Sequence, residues 1–158
     1  MVRGFKKRMV TMNEKTVIDM LNNLQYSFEA MDDKFSRYDA FDKKNGIMLE
    51  IKCRNKYYPD TIIEKMKYEW NKQFALEHDF EFFYVVSMPD NENKNDIIYA
   101  FDPINLDEEE EYDFKWHTKK LPKNTEFNGR NWIDKEVGYL NIKDALFSIE
   151  MDDLKAVH

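Results

Sequence analysis

Three charged side chains within fifteen residues, Asp39, Glu50 and Lys52, have the types and spacing to do chemistry. From Ile47 to Arg54 the chain alternates: Ile47, Leu49, Ile51 and Cys53 point one way, and Met48, Glu50, Lys52 and Arg54 the other. Glu50 and Lys52 therefore share a strand face, about 7 Å apart. Just upstream, Lys43-Lys44-Asn45-Gly46 reads as a hairpin turn, because Asn-Gly supplies the positive φ that tight turns need. A four-residue turn, 43–46, sets Asp39 opposite Glu50. A turn of Asn45 and Gly46 alone sets it opposite Lys52. Opposed residues in an antiparallel pair lie about 5 Å apart, so either register gathers two carboxylates and an ammonium. A one-residue bulge would turn Asp39 to the other face.

Oxygens from two carboxylates suit a hard cation. Mg²⁺ takes oxygen ligands and keeps several waters, and the Ile51 carbonyl offers a further ligand. Such a cation polarises a phosphoryl oxygen and generates hydroxide from water. A lysine beside it positions the water or offsets phosphate charge.

Asp39 followed by Glu50-Ile51-Lys52 resembles the PD-(D/E)XK nuclease superfamily. Tyr38 stands where the family's proline would be, which leaves the carboxylate ligand intact. The resemblance implies a restriction-endonuclease-like α/β core, a mixed β-sheet flanked by helices, with Asp39 and Glu50 on Mg²⁺ (Mn²⁺ substituting) and Lys52 assisting the water. It implies DNA as the partner and phosphodiester hydrolysis as the reaction. Relatives that cut two strands often act as homodimers, but no interface is legible in this chain. The family often adds an acid from an N-terminal helix, which makes Glu14 a further metal ligand, with Glu29 as competitor. Viral and phage members carry a tyrosine-containing loop and then a helix with a lysine-tyrosine pair, here Tyr57 or Tyr58 and Lys67-Tyr68.

The elements that must position these groups follow from periodicity. Asn13 caps a predicted helix over 14–25, with Val17, Ile18, Leu21 and Leu24 on its apolar face. Glu14 leans toward that face; a first-turn acid also simply suits the macrodipole. Pro59 precedes a second predicted helix, 61–78, capped by Asp60, with Ile63, Met66, Trp70 and Phe74 inward. Lys67 falls within that stripe, either snorkelling at its edge or reaching the metal site as a second cation. Residues 81–87 read as a buried central strand and 97–101 as another, with a turn between them. Helix, strands, helix, strand is the family's order if the segment from Tyr26 to Ala30 opens the sheet. The core then spans about 14–102 of a single 1–158 domain, with 103–158 as an extension. That extension holds a last strand over 137–142 and a short helix over 144–151.

The chain has 158 residues, 42% hydrophobic and 15% aromatic, enough for one packed core. Its net charge of −7 disfavours non-specific nucleic-acid binding by the whole surface. The charge is uneven: 107–113 is acidic, whereas 115–135 is rich in bases. Within it, Lys119, Lys120, Lys123 and Arg130, interleaved with Trp116 and Trp132, are candidates for phosphate and base contacts; packed tryptophans with wet lysines are the alternative. One cysteine and three scattered histidines exclude an internal disulfide and a zinc pattern. No Gly-x-Ser-x-Gly or P-loop is present, which argues against serine nucleophiles and nucleotide hydrolysis. Without a run of about 20 apolar residues or a secretory h-region, the expectation is a cytoplasmic protein without a membrane span. Few glycines with abundant Lys, Asn and Asp fit an AT-rich coding genome, a viral one included. The rival to an enzyme is a non-catalytic nucleic-acid- or protein-binding protein on the same scaffold; in a third reading the motif is coincidence, on a structural protein.

Overall fold

The computed structural model describes residues 12–32, 37–92, 94–123 and 132–151. In chain order the elements are α1 (Glu14–Asn22), β1 (Phe28–Ala30), β2 (Ala40–Asp42), β3 (Ile47–Cys53), β4 (Asp60–Glu64) and α2 (Lys65–His78). β5 (Glu81–Pro89), β6 (Asp96–Phe101), α3 (Pro103–Glu108), β7 (His117–Pro122), β8 (Trp132–Asn141), a 3₁₀ turn (Ile142–Asp144) and β9 (Phe147–Glu150) complete it. A six-stranded mixed sheet runs β1-β2-β3-β5-β6-β9, and a three-stranded sheet runs β4-β8-β7. This is the mixed α/β architecture expected, with α1, β1–β3, α2 and β5 in the anticipated order and β4 inserted before α2.

Both faces of the large sheet are covered. On one, Val17, Ile18 and Leu21 of α1 pack against Leu49, Ile51, Phe83 and Val85. On the other, Met48, Phe82, Tyr84 and Val86 meet Tyr68 and Ala75 of α2, Leu106 of α3 and Leu140 of β8. β5 feeds alternate residues to both, which is why its sequence is apolar without a break. Parallel pairing of β3 with β5 places Glu50 beside Tyr84 at the centre of the sheet.

The hairpin takes the four-residue turn, with Asp42 paired to Ile47 and Ala40 to Leu49. Asp42 fixes it. Its buried carboxylate accepts Asn45 N–H (3.0 Å), Asn45 Nδ2 (2.6 Å) and Ser27 N–H (3.0 Å). Burial pushes this carboxyl up, but those bonds outweigh it and hold Asp42 below the usual range. Gly46, at φ +66, makes the left-handed step.

Several expected boundaries are corrected. The segment 61–78 is not one helix: Thr61-Ile62-Ile63 is β-branched and joins β8, so the helix begins only at Lys65. Asp60 therefore caps no helix; it accepts from Asn141 Nδ2 at 2.9 Å. With the helix frame reset, Tyr68, Asn71 and Ala75 face inward while Met66 is 77% exposed. The first helix, capped by Asn13 as expected, stops at Asn22 rather than 25. The expected helix over 144–151 is a 3₁₀ turn followed by β9, which pairs with β6.

Candidate active site

β3 presents Glu50, Lys52 and Arg54 on one face, toward a cleft of about 570 Å³ between the two sheets. Glu50 is 6% exposed. Its Oε1 lies 3.5 Å from Lys52 Nζ and 3.9 Å from Lys67 Nζ, which α2 brings over the strand. Burial raises the Glu50 carboxyl; Lys52 and Lys67 pull it down, and Asp39 and Glu64 push it up again, leaving it above the ordinary range.

Asp39 does not continue the β2–β3 ladder. Its N–H donates to Leu49 O (2.7 Å), and its Oδ2 accepts the Ile51 N–H (2.7 Å). The carboxylate thus stands where a backbone carbonyl of β2 would have been. This places Asp39 at the end of β2, on the edge between the two faces of the sheet. From there its charge reaches Glu50 and Lys67 on one side and Glu14 on the other. In a strand a residue's N–H and C=O leave along the same edge, so the Ile51 carbonyl also points past the end of β2.

Glu14, in the first turn of α1, is raised by partial burial and then by Asp39, against Lys52. It therefore belongs to the same electrostatic group. Glu29 sits on β1 opposite Phe41, exposed and two strands away from Glu50. Tyr58 lines the cleft, whereas Tyr57 packs into the apolar layer. Tyr68 is buried away from the cleft and donates to Asp107 Oδ2 (2.6 Å).

Two groups central to the site had no sequence signal. Glu64, at the end of β4, accepts from Lys67 (3.2 Å) through Oε2 and from Lys135 of β8 (2.6 Å) through Oε1. Burial raises Glu64, but Lys135 and Lys67 outweigh it and the carboxyl lies below its ordinary range. For Lys67, burial lowers the pKa, yet Glu50 and Glu64 carry it above the ordinary lysine value. Lys67 is therefore a held cation rather than a proton acceptor at neutral pH.

No family model matches the sequence, and no curated protein matches it. Among solved structures it is similar to the Holliday junction resolvase Hjc of the archaeal hyperthermophile Archaeoglobus fulgidus. That likeness has a TM-score of 0.44 at 11% identity, covering 82% of this chain and 96% of the resolvase.

Of the basic residues singled out in the extension, Lys119 and Lys123 line the cleft. Lys120 alternates to the other face of β7 and pairs with Asp134 (3.6 Å). Arg130 lies outside the described residues. Trp116 is stacked on Phe114, and Gly138 leaves room for it: a Cβ there would come within 2.8 Å of the indole. Trp116 is thus a packing residue. Among the described residues no three or more of His, Cys, Asp and Glu gather tightly enough to hold a metal by side chains alone. By donor type, the Asp39 and Glu50 carboxylates and the Ile51 carbonyl are the oxygens that would suit a hard divalent cation, since Mg²⁺ commonly takes one or two carboxylates and retains waters. Among the described residues no helix is long and apolar enough to cross a membrane.

Proposed function

We propose that this protein hydrolyses DNA phosphodiester bonds with a divalent cation, Mg²⁺ or Mn²⁺, held by Asp39 and Glu50. The observation that carries this reading is the convergence on Glu50: Lys52 beside it, Lys67 above it and Asp39 clamped to the next peptide. When bound, the cation supplies Lewis-acid polarisation of the phosphate and a water of lowered pKa.

The chain's own residues do the rest. Asp39 and Glu50 supply anionic oxygens from fixed backbone positions. Lys52, on the same face as Glu50, orients the water or meets charge on the phosphate. Lys67, kept protonated by Glu50 and Glu64, stabilises negative charge that grows on the phosphoryl oxygens. The Ile51 carbonyl and Glu14 complete the polar surround. Lys119 and Lys123 line the opposite wall, where they contact flanking phosphates.

One observation favours a second reading. The absence of a three-group ligand cluster among the described residues suits a scaffold that binds nucleic acid or protein without cutting. Titration with Mn²⁺ separates the two. The nuclease reading expects saturable Mn²⁺ binding that Asp39→Asn and Glu50→Gln each abolish. A folded wild type that holds no divalent cation would favour the scaffold.

A further inference from the structure

The charge of the cleft runs against that of the molecule. The protein carries −7 overall, yet the cleft is lined by six cations and three carboxylates. Two of the carboxylates are already engaged: Glu50 with Lys52 and Lys67, and Glu64 with Lys67 and Lys135. The third, Asp60, accepts from Asn141. Arg54, Lys119 and Lys123 form no ion pair among the described residues. Arg54 stands on the large-sheet wall, two residues beyond Lys52. Lys119 and Lys123 stand on or beside β7, across the cleft. Cations on facing walls, without an ion-pair partner among the described residues, suit a polyanion lying between them.

Two tyrosines share this space. Tyr58 is 45% exposed at the mouth, and Tyr139 of β8 lines the second wall. A groove that tracks phosphates with cations and offers aromatic faces to bases is how unpaired strands are held. The dimensions agree. A cleft of 570 Å³ falls in the range that encloses small ligands, about 300–1,000 Å³. Stacking on Tyr58 needs an unpaired base, which the paired interior of a duplex does not offer.

We propose that the cleft admits one unpaired nucleic-acid strand rather than a duplex, with Arg54 and Lys119 on its phosphates and Tyr58 stacked on a base. This deepens the nuclease reading by naming the form of its substrate, but it concerns binding and is tested without cleavage. The probes are a short fluorescent oligothymidylate, an oligouridylate of equal length and a blunt duplex. Each is titrated by anisotropy in EDTA at several salt concentrations.

The inference expects the single strand to bind about tenfold or more tightly than the duplex. Tyr58→Ala should weaken single-strand binding at all salt concentrations, and Tyr58→Phe should restore it. Arg54→Ala and Lys119→Ala should each lower the salt slope by about 0.7, the share of one neutralised phosphate on a single strand. Lys44→Ala, at the far end of β3, should change nothing. Preference for DNA over RNA would assign DNA; the reverse would keep the inference and change the sugar. Equal or tighter binding of the blunt duplex, or salt slopes unmoved in both cation variants, overturns it. Tight single-strand binding without any Mg²⁺-dependent cleavage would keep this inference while removing the nuclease reading.

Discussion

The Asp39 carboxylate accepts the Ile51 N–H at 2.7 Å, taking the place of a strand carbonyl where β2 gives out. The side chain thereby extends the β2–β3 pairing beyond the last backbone pair. It is also aimed by the strand that carries Glu50 and Lys52. The arrangement ties the placement of one carboxylate to the peptide next to the other.

Asp39→Asn and Asp39→Ala should therefore differ. Asparagine retains an oxygen for the Ile51 N–H and loses only the charge. Its stability should match wild type, while metal-dependent cleavage falls about 100-fold or more, at least the loss seen when groups supporting a metal are removed. Alanine leaves the Ile51 N–H without an acceptor inside a buried strand, which costs a further ~1–3 kcal/mol. Thermal melts of the two variants, alongside cleavage rates, check this.

Glu50→Gln should stabilise the metal-free protein at neutral and alkaline pH. Burial is the leading reason the carboxyl is raised, with Lys52 and Lys67 offsetting it. A carboxyl raised in the folded state binds its proton more tightly there than when unfolded. Its contribution is fully present below the ordinary glutamate value of 4.5 and is lost as pH rises through the folded pKa. Melting temperatures of wild type and variant should converge near about pH 4 and separate by several degrees near about pH 8, the variant higher. Lys52 and Lys67 are both partly exposed and can turn to water in the variant. Added Mn²⁺ should raise the wild type alone.

Glu64→Gln tests whether Lys67 is positioned from β4. Glutamine keeps the reach but loses the charge that holds Lys67 and Lys135 together. The cleavage rate at saturating substrate should fall about tenfold, less than the roughly 100-fold or more that outright loss of a charge-stabilising group costs, because Lys67 is displaced and not removed. Mn²⁺ affinity should change little. Lys67→Ala should lower the same rate at least as far, and a double variant no further than the larger single loss, because the two residues act as one unit.

Tyr68→Phe should leave cleavage untouched. The Tyr68 hydroxyl donates to Asp107 and the Pro103 carbonyl, away from the cleft. Its pKa is pushed up, first by burial and then by Asp107, so it stays protonated. Losing those bonds should cost about 1 kcal/mol of stability, read by urea unfolding. A large activity loss with normal stability would place Tyr68 in the chemistry instead.

Local pattern made much of this legible. The alternation from Ile47 to Arg54 assigned both faces of β3, and both appear as read: Ile47, Leu49 and Ile51 in the α1 layer, Glu50, Lys52 and Arg54 on the cleft. Asn45-Gly46 marked the turn but not its length, which Asp42 decides through bonds from Asn45 and Ser27. Lys67 stood out because an ammonium within an apolar stripe needs a reason. What stayed hidden depends on distant partners. Thr61-Ile62-Ile63 fits either period, and only pairing with β8, about eighty residues on, makes it a strand. The same pairing brings Lys135 to Glu64, and neither residue has a local feature to distinguish it. β9 is hidden likewise: Phe147–Glu150 becomes a strand because β6 offers an open edge.

The most direct test is incubation of purified protein with single-stranded and duplex DNA in Mg²⁺, Mn²⁺ or EDTA, wild type beside Asp39→Asn. The account predicts cutting by wild type in either metal, none in EDTA, and at most about 1% of the wild-type rate in the variant. Cutting that persists at full rate in Asp39→Asn, or a folded wild type that cuts neither substrate in either metal, would contradict it.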